Sequence, residues 1–500
     1  MNPAKVTINH LATGVPGLDA VFGGGLPELS FNLIAGPPGS GKTTLAHQMM
    51  FALSTPARPA LYFTVLGEPP LKMLRYQQQF DFFDSSKVNT CVHFINLSEE
   101  TATGDLTKVL ARMVAEVEAL GPALVFVDSF RSVILASESE GNVFISLQHF
   151  IQQLGMLMAS WQATTFLLGE YFSQGDPSPV FTVADGLIWL RQSIQNNSMV
   201  RKMEVLKMRG QPSLPGLHTF RITGRGVDVF TQPPVVNKAL NSKAPINDSL
   251  PTDIRIPMGV SGLDEMLGGG LPRGYSLLVA GPSGSGKSIL ASAFLAEGAR
   301  QGETSVIAAF EQRSKLSRGV EIAHLIDRDR IAVVDTLSPS LSVDEMSMLL
   351  IAEIDRLKAT RVVIDSLSGF ELALAPTFRD DFRESLFRMV SALTGIGVTV
   401  LMTSELEDRY NELRFSPYGT AFLTDAIIVQ RYIEVDSCLQ RVMAVVKVRG
   451  SAHSNGLHLF HIDDSGIKIG EMLVGYEGLL GGRPKRRLAP GESLAGADYG

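Results

Sequence analysis

Gly36-Pro37-Pro38-Gly39-Ser40-Gly41-Lys42-Thr43 returns half a chain later as Gly281-Pro282-Ser283-Gly284-Ser285-Gly286-Lys287-Ser288. Both stretches fit G-x-x-x-x-G-K-[ST]. In such a loop the glycines let backbone N–H groups turn inward around phosphate oxygens. The lysine reaches the β- and γ-phosphates, and the hydroxyl ligates Mg²⁺. Apolar stretches, Asn32-Leu33-Ile34-Ala35 and Leu277-Leu278-Val279-Ala280, lead into the loops as strands. Helical stretches follow, from Thr43 to Leu53 and from Ser288 to Arg300. With the next residues, Thr44 and Ile289, the loops are candidate contacts for two nucleoside triphosphates, read as ATP, each with a Mg²⁺ ion.

Other landmarks repeat in the same order. Gly14-Val15-Pro16-Gly17-Leu18-Asp19 matches Gly259-Val260-Ser261-Gly262-Leu263-Asp264, and Gly23-Gly24-Gly25-Leu26-Pro27 matches Gly268-Gly269-Gly270-Leu271-Pro272. Ala184-Asp185-Gly186-Leu187-Ile188 matches Thr424-Asp425-Ala426-Ile427-Ile428, and Lys207-Met208-Arg209-Gly210 matches Lys447-Val448-Arg449-Gly450. The chain is therefore one domain duplicated, with residues 1–230 and 258–475 as the copies. A proline-bearing segment, 231–257, is expected to link them, and 476–500 to form a mobile tail. Within each half, short apolar strands alternate with helical stretches. Strands of near-continuous apolar character predict a mainly parallel sheet with helices on both faces, an α/β fold. Ligands in such sheets sit beyond the carboxyl ends of the strands, where both loops fall.

Composition narrows the class. The chain is 45% hydrophobic and 19% charged, ordinary for a globular protein. No apolar run is long enough to span a bilayer, and the N-terminus lacks the layout of a secretory signal. A cytoplasmic protein with no membrane partner is expected. A net charge of −7 argues against nucleic acid as a partner, which favours a basic surface. Cys91 and Cys438 are read as buried small hydrophobes rather than a disulfide or metal pair.

Four groups of residues complete the candidate sites. Asp128 and Asp365 each end a short apolar strand, the placement of a carboxylate that orients Mg²⁺ beside Thr43 or Ser288. Glu311, just after the strand from Ser305 to Phe310, is the candidate to position the attacking water. The first half departs here. Leu66 stands in the place of Glu311, and the nearest carboxylate is Glu68, two residues on and ahead of two prolines. Lys207 with Arg209, and Lys447 with Arg449, each put two cations on one face of a strand. They are read as fingers that stabilise γ-phosphate charge on a neighbouring subunit, a head-to-tail contact that closes into a ring.

Together the tandem G-L-D, G-G-G-L-P, phosphate-loop, strand-end aspartate, D-x-x-I and K-x-R-G motifs resemble the KaiC branch of the RecA-like ATPases, over residues 7 to 475. The resemblance implies a double-ring hexamer, ATP held between subunits, slow ATP hydrolysis and regulatory protein partners of the Kai type. In the second ring of clock proteins it implies serine/threonine autokinase and phosphatase activity. This sequence departs from the family pattern at two places. The usual glutamate pair is Glu311-Gln312 in the second half and Leu66-Gly67 in the first. The phosphoacceptor Ser-Thr pair falls on Ala421 and Phe422, with Ser416, Thr420 and Thr424 nearby. A ring ATPase hydrolysing mainly in its second half is the expectation. A clock-type autokinase and a DNA-dependent ATPase of the same superfamily are the alternatives.

Overall fold

A computed structural model describes residues 8–64, 70–102, 105–129, 143–172, 179–195, 198–231, 254–310, 320–334, 342–374, 382–406, 424–435, 438–474, 476–477 and 485–486. The chain divides into two units, Met1–Thr231 and Gln232–Gly500. In the first, a short ladder joins β1 (His10–Leu11) and β2 (Leu26–Pro27). The main sheet comprises β3 (Phe31–Gly36), β4 (Ala60–Thr64), β5 (Val92–Asn96), β6 (Leu124–Asp128), β7 (Thr164–Glu170), β8 (Gly186–Gln195), β9 (Ser198–Met208), β10 (His218–Thr223) and β11 (Gly226–Phe230). Its order is β11-β10-β9-β8-β3-β7-β6-β4-β5.

The second unit repeats this plan. Its short ladder joins β12 (Arg255–Ile256) and β13 (Leu271–Pro272). Its main sheet comprises β14 (Ser276–Gly281), β15 (Ser305–Ala309), β16 (Ile331–Val334), β17 (Arg361–Asp365), β18 (Thr399–Glu405), β19 (Ala426–Val435), β20 (Cys438–Val448), β21 (His458–Asp463) and β22 (Gly466–Met472). The order β16-β15-β17-β18-β14-β19-β20-β21-β22 mirrors the first sheet strand for strand. A last ladder pairs β23 (Tyr476–Glu477) with β24 (Lys485–Arg486).

The expected parallel, helix-covered sheet is present in each unit. From β5 across to β8 the first sheet is parallel throughout. Alternate side chains of β3 enter opposite cores, as a doubly covered strand requires. Leu33 and Ala35 belong to one core with Val109, Met113 and Leu154, whereas Ile34 belongs to the other with Leu45 and Met49 of the helix Lys42–Leu53. In the second unit Leu278 and Ala280 belong to one core with Met346 and Leu386, while Leu277 and Val279 belong to the other with Leu290 and Phe294.

Sequence reading did not anticipate the antiparallel meander β8–β11, nor its counterpart β19–β22. These meanders wall one side of each phosphate loop. A second correction concerns the cysteines. Cys91 is buried, as expected, but Cys438 is exposed at the start of β20.

The repeated motifs prove to be backbone ties. Asp19 Oδ1 accepts the Thr13 amide and hydroxyl, at 2.9 and 2.6 Å, and Asp264 Oδ1 accepts the Met258 amide at 2.8 Å. Asp185 Oδ2 accepts the Phe31 amide and Asp425 Oδ2 the Ser276 amide, both at 3.0 Å. Each of these last carboxylates fixes the start of a phosphate-loop strand against its neighbour.

Candidate functional site

Each loop runs from the carboxyl end of its central strand into a helix, Lys42–Leu53 or Lys287–Arg300. No acidic residue occupies the first turn of either helix, so the positive end of the helix dipole is left for an anion. The last loop glycines have no substitute. Gly41 has φ 101° and Gly286 φ 103°, in the left-handed region that favours glycine. A Cβ on Gly41 would lie 2.7 Å from Ile222 Cδ1, and one on Gly286 would lie 2.6 Å from Ile462 Cδ1. Both isoleucines belong to the antiparallel meanders, on β10 and β21.

The lysines curl over their loops. Lys42 Nζ donates to Gly36 O at 3.0 Å and Pro37 O at 2.9 Å. Lys287 Nζ donates to Gly281 O and Pro282 O, both at 2.8 Å. In the first unit a cavity of about 340 Å³ opens here. Gly39, Gly41, Lys42, Thr43 and Thr44 line it with Asp128, Ser129 and Glu170. Thr64, Met73 and Ile222 complete the lining.

Asp128 ends β6, as the sequence predicts, and its Oδ2 accepts the Thr43 hydroxyl at 2.8 Å. The same oxygen accepts the Tyr62 hydroxyl at 2.8 Å. Burial pushes the Asp128 carboxyl up, opposed by the donors Tyr62 and Thr43 and by the charge of Lys42. Burial lowers Lys42, opposed by Glu170 and then Asp128. Tyr62 is raised by its own burial and by Asp128, so its proton stays on the phenol. In the second unit the Thr403 hydroxyl on β18 donates to Asp365 Oδ1. The peptide bonds Asp128–Ser129 and Asp365–Ser366 are both cis.

These groups suit a triphosphate with a divalent cation. Among the described residues no three His, Cys, Asp or Glu side chains cluster to hold a metal by themselves. One carboxylate beside one hydroxyl, completed by phosphate oxygens and water, is how Mg²⁺ is usually held at such loops. The Thr43–Asp128 pair presents that donor set at the mouth of the loop.

Two predicted groups lie elsewhere. Lys207 is in register with Leu187, which pairs with Leu33. Lys447 is in register with Ile427, which pairs with Leu278. Each lysine thus sits three residues, roughly 10 Å, before the strand end that carries its own unit's loop. Lys207 Nζ donates to Phe181 O and Thr182 O, and Lys447 Nζ to Thr424 O. Burial lowers both lysines, aided by the neighbouring Arg209 or Arg449. Arg209 and Arg449 lie one residue past their strands and pair with Asp185 and Asp425, each at 3.1 Å.

Leu66, Gly67, Glu68, Glu311, Gln312, Ser416, Thr420, Ala421 and Phe422 fall outside the described residues. Thr424 is described and buried.

Sequence reading missed Tyr62 and Glu170. Glu170 ends β7 in register with Gly36, and Glu405 ends β18 in register with Gly281. A glutamate just past each apolar stretch was a repeated landmark. Tyr62 gave a weaker signal, one hydroxyl within Ala60-Leu61-Tyr62-Phe63.

A family profile described as "ATPase: KaiC" matches residues 11–234 and again 256–474. The chain is similar to "Circadian clock oscillator protein KaiC" of Picosynechococcus sp., 27% identical over 499 residues, covering 97% of this chain and 94% of that protein. It is 27% identical over 493 residues to "Circadian clock oscillator protein KaiC 1" of Synechocystis sp., covering 96% and 92%. It is 24% identical over 498 residues to the KaiC of Synechococcus elongatus, covering 97% and 93%.

Proposed function

Since the chain belongs to the KaiC family of ATPases, we propose that it is a ring-forming regulatory ATPase. Its first unit chiefly holds ATP, and its second chiefly hydrolyses it. The duplicated phosphate loop with its strand-end aspartate carries this reading, because each unit repeats the strand order and the angles of the loop glycines Gly39 and Gly41, as Gly284 and Gly286. The inequality comes from the second strand of each sheet. Ala309, the last residue of β15, pairs with Asp365, and Glu311 follows two residues later. A carboxylate there orients a water toward the γ-phosphate and takes up its proton. In the first unit Thr64, the last residue of β4, pairs with Asp128, and Leu66 follows two residues later. Leucine can neither orient nor deprotonate water.

In each loop the backbone N–H groups and the lysine hold the phosphates in line with that water. Mg²⁺, when bound through Thr43 with Asp128 or Ser288 with Asp365, supplies positive charge against the oxygens of the leaving phosphate. The cations Lys207, Arg209, Lys447 and Arg449 lie at the strand ends away from their own loops. A role at the γ-phosphate therefore belongs to a neighbouring copy, which supports a closed ring of subunits. A cytoplasmic location and regulatory protein partners complete the proposal.

Phosphate release by two full-length variants tests it. Glu311→Gln is expected to lose about a hundredfold in turnover, the scale of one general base. Lys42→Ala is expected to keep most of it. Near-normal turnover in Glu311→Gln would overturn the assignment. One observation favours a second reading. Glu170 lines the first cavity beside Lys42 and Asp128, so a carboxylate is present there despite Leu66. In that reading the first unit also hydrolyses, and Lys42→Ala removes about half of the phosphate release.

A further inference from the structure

The aspartates that end β6 and β17 are supported from opposite flanks. Register makes the comparison strict. Tyr62 on β4 pairs with Phe126, two residues before Asp128, and Ile307 on β15 pairs with Val363, two residues before Asp365. On the other flank, Leu168 pairs with Asp128 and with Ile34, while Thr403 pairs with Val279, the counterpart of Ile34. The first unit therefore has a hydroxyl from β4 and a hydrocarbon on β7. The second has a hydrocarbon on β15 and a hydroxyl from β18.

Tyr62 is fully buried and held by rings on three sides. Its centroid lies 4.6 Å from His47, 5.5 Å from Phe94 and 5.9 Å from Phe126. Its hydroxyl can turn only a little, and it donates to the same Asp128 oxygen that receives the Thr43 hydroxyl. Two donors on one oxygen fix the plane of the carboxylate and keep Thr43 turned toward it, its lone pairs facing the cavity.

We propose that Tyr62 is a positioning residue that sets the divalent-cation affinity of the first unit's nucleotide site, acting through Asp128 and Thr43. The two sites of one chain then differ in their Mg²⁺ requirement. This inference rests on the reading of the first unit as an ATP-holding site.

The test uses the full chain carrying Lys287→Ala, so that a fluorescent ATP analogue reports the first site, titrated with MgCl₂. Adding Tyr62→Phe keeps the ring packing and removes only the hydroxyl. The Mg²⁺ midpoint is expected to rise about tenfold, the scale of one hydrogen bond to a charged group. Analogue affinity in EDTA is expected to stay the same. A second variant, Tyr62→Phe with Leu168→Thr, supplies a hydroxyl from the other flank and is expected to recover most of the shift. A midpoint unchanged by Tyr62→Phe, or an equal loss of affinity in EDTA, would overturn the proposal while leaving the site reading intact. No analogue binding by the Lys287→Ala parent would overturn both.

Discussion

The two units share a strand order, a loop and a pair of landmark aspartates, yet their sites are supported differently. In the first, Asp128 is held by a tyrosine amid an aromatic cluster, and Leu66 follows the second strand. In the second, Asp365 is held by Thr403, and Glu311 follows the second strand. What the backbone must do is the same in both, and the residues that do it match. The side chains that support the two strand-end aspartates have diverged. Duplication has kept the backbone frame and changed the side chains that lean on it.

Away from the sites the divergence is as deep, and the largest expected effect lies there. Arg361 of β17 is fully buried. It pairs with Glu303 at 2.5 Å, donates to Pro257 O and Phe294 O, and lies over the Phe294 ring. The corresponding residue of the first unit is Leu124, which like Arg361 starts a strand beside a threonine, Thr164 or Thr399. Arg361→Ala leaves Glu303 without its close partner and is expected to destabilise the second unit by about 3–5 kcal/mol. Leu124→Ala opens an apolar cavity and is expected to cost the first unit about 2–5 kcal/mol. Urea unfolding followed by hydrogen exchange in β17 and β6 checks both. If Arg361→Ala costs under 1 kcal/mol, the second unit does not depend on this pair.

Acid should separate the units next. His47 is fully buried beside Tyr62, and burial lowers its pKa to about 3. Its counterpart in the second unit is Ser292. The unfolded chain protonates His47 below about pH 6.5, and the folded first unit does not. The folded state thus binds fewer protons, so stability is full above pH 6.5 and declines as pH falls toward 3. The slope is about 1.4 kcal/mol per pH unit. Between pH 6.5 and 5.5 the first unit should therefore lose roughly 1 kcal/mol from this ring. His47→Phe should flatten the decline. Pulse proteolysis in urea at the two pH values reads it unit by unit.

A smaller effect is expected at the strand-end aspartate of the second unit. Thr403→Val removes the hydroxyl that supports Asp365. It should raise the Mg²⁺ midpoint of the second site several-fold, the scale of one hydrogen bond to a carboxylate, and leave the first site unchanged. Fluorescent-nucleotide titrations measure it, in a Lys42→Ala background for the second site and a Lys287→Ala background for the first.

Much of this was legible in the sequence because it is local. A phosphate loop is eight consecutive residues whose glycines answer to backbone geometry. The strands that precede it and the aspartates that end β6 and β17 are short apolar runs with one polar stop. The duplication made each visible twice. The residues that were missed reach the site through the sheet. Tyr62 meets Asp128 across 66 positions of chain, and Thr403 meets Asp365 across 38. Only strand order and register bring them together, and neither is written in a local pattern. The meanders β8–β11 and β19–β22 were missed for a related reason. Their landmarks pointed elsewhere, Asp185 to the repeat and Lys207 and Arg209 to chemistry, whereas Asp185 and Arg209 also tie the meander to β3.

Hydrolysis mainly in the second unit has a direct signature in the bound nucleotide. Glu311→Gln protein loaded with excess ATP, separated from free nucleotide, then quenched and chromatographed, tests it most directly. Nearly all bound nucleotide is expected to remain ATP, as it must if the first unit only holds it and the second no longer cleaves it. Bound nucleotide that is about half ADP would place hydrolysis in the first unit and overturn its assignment to the second.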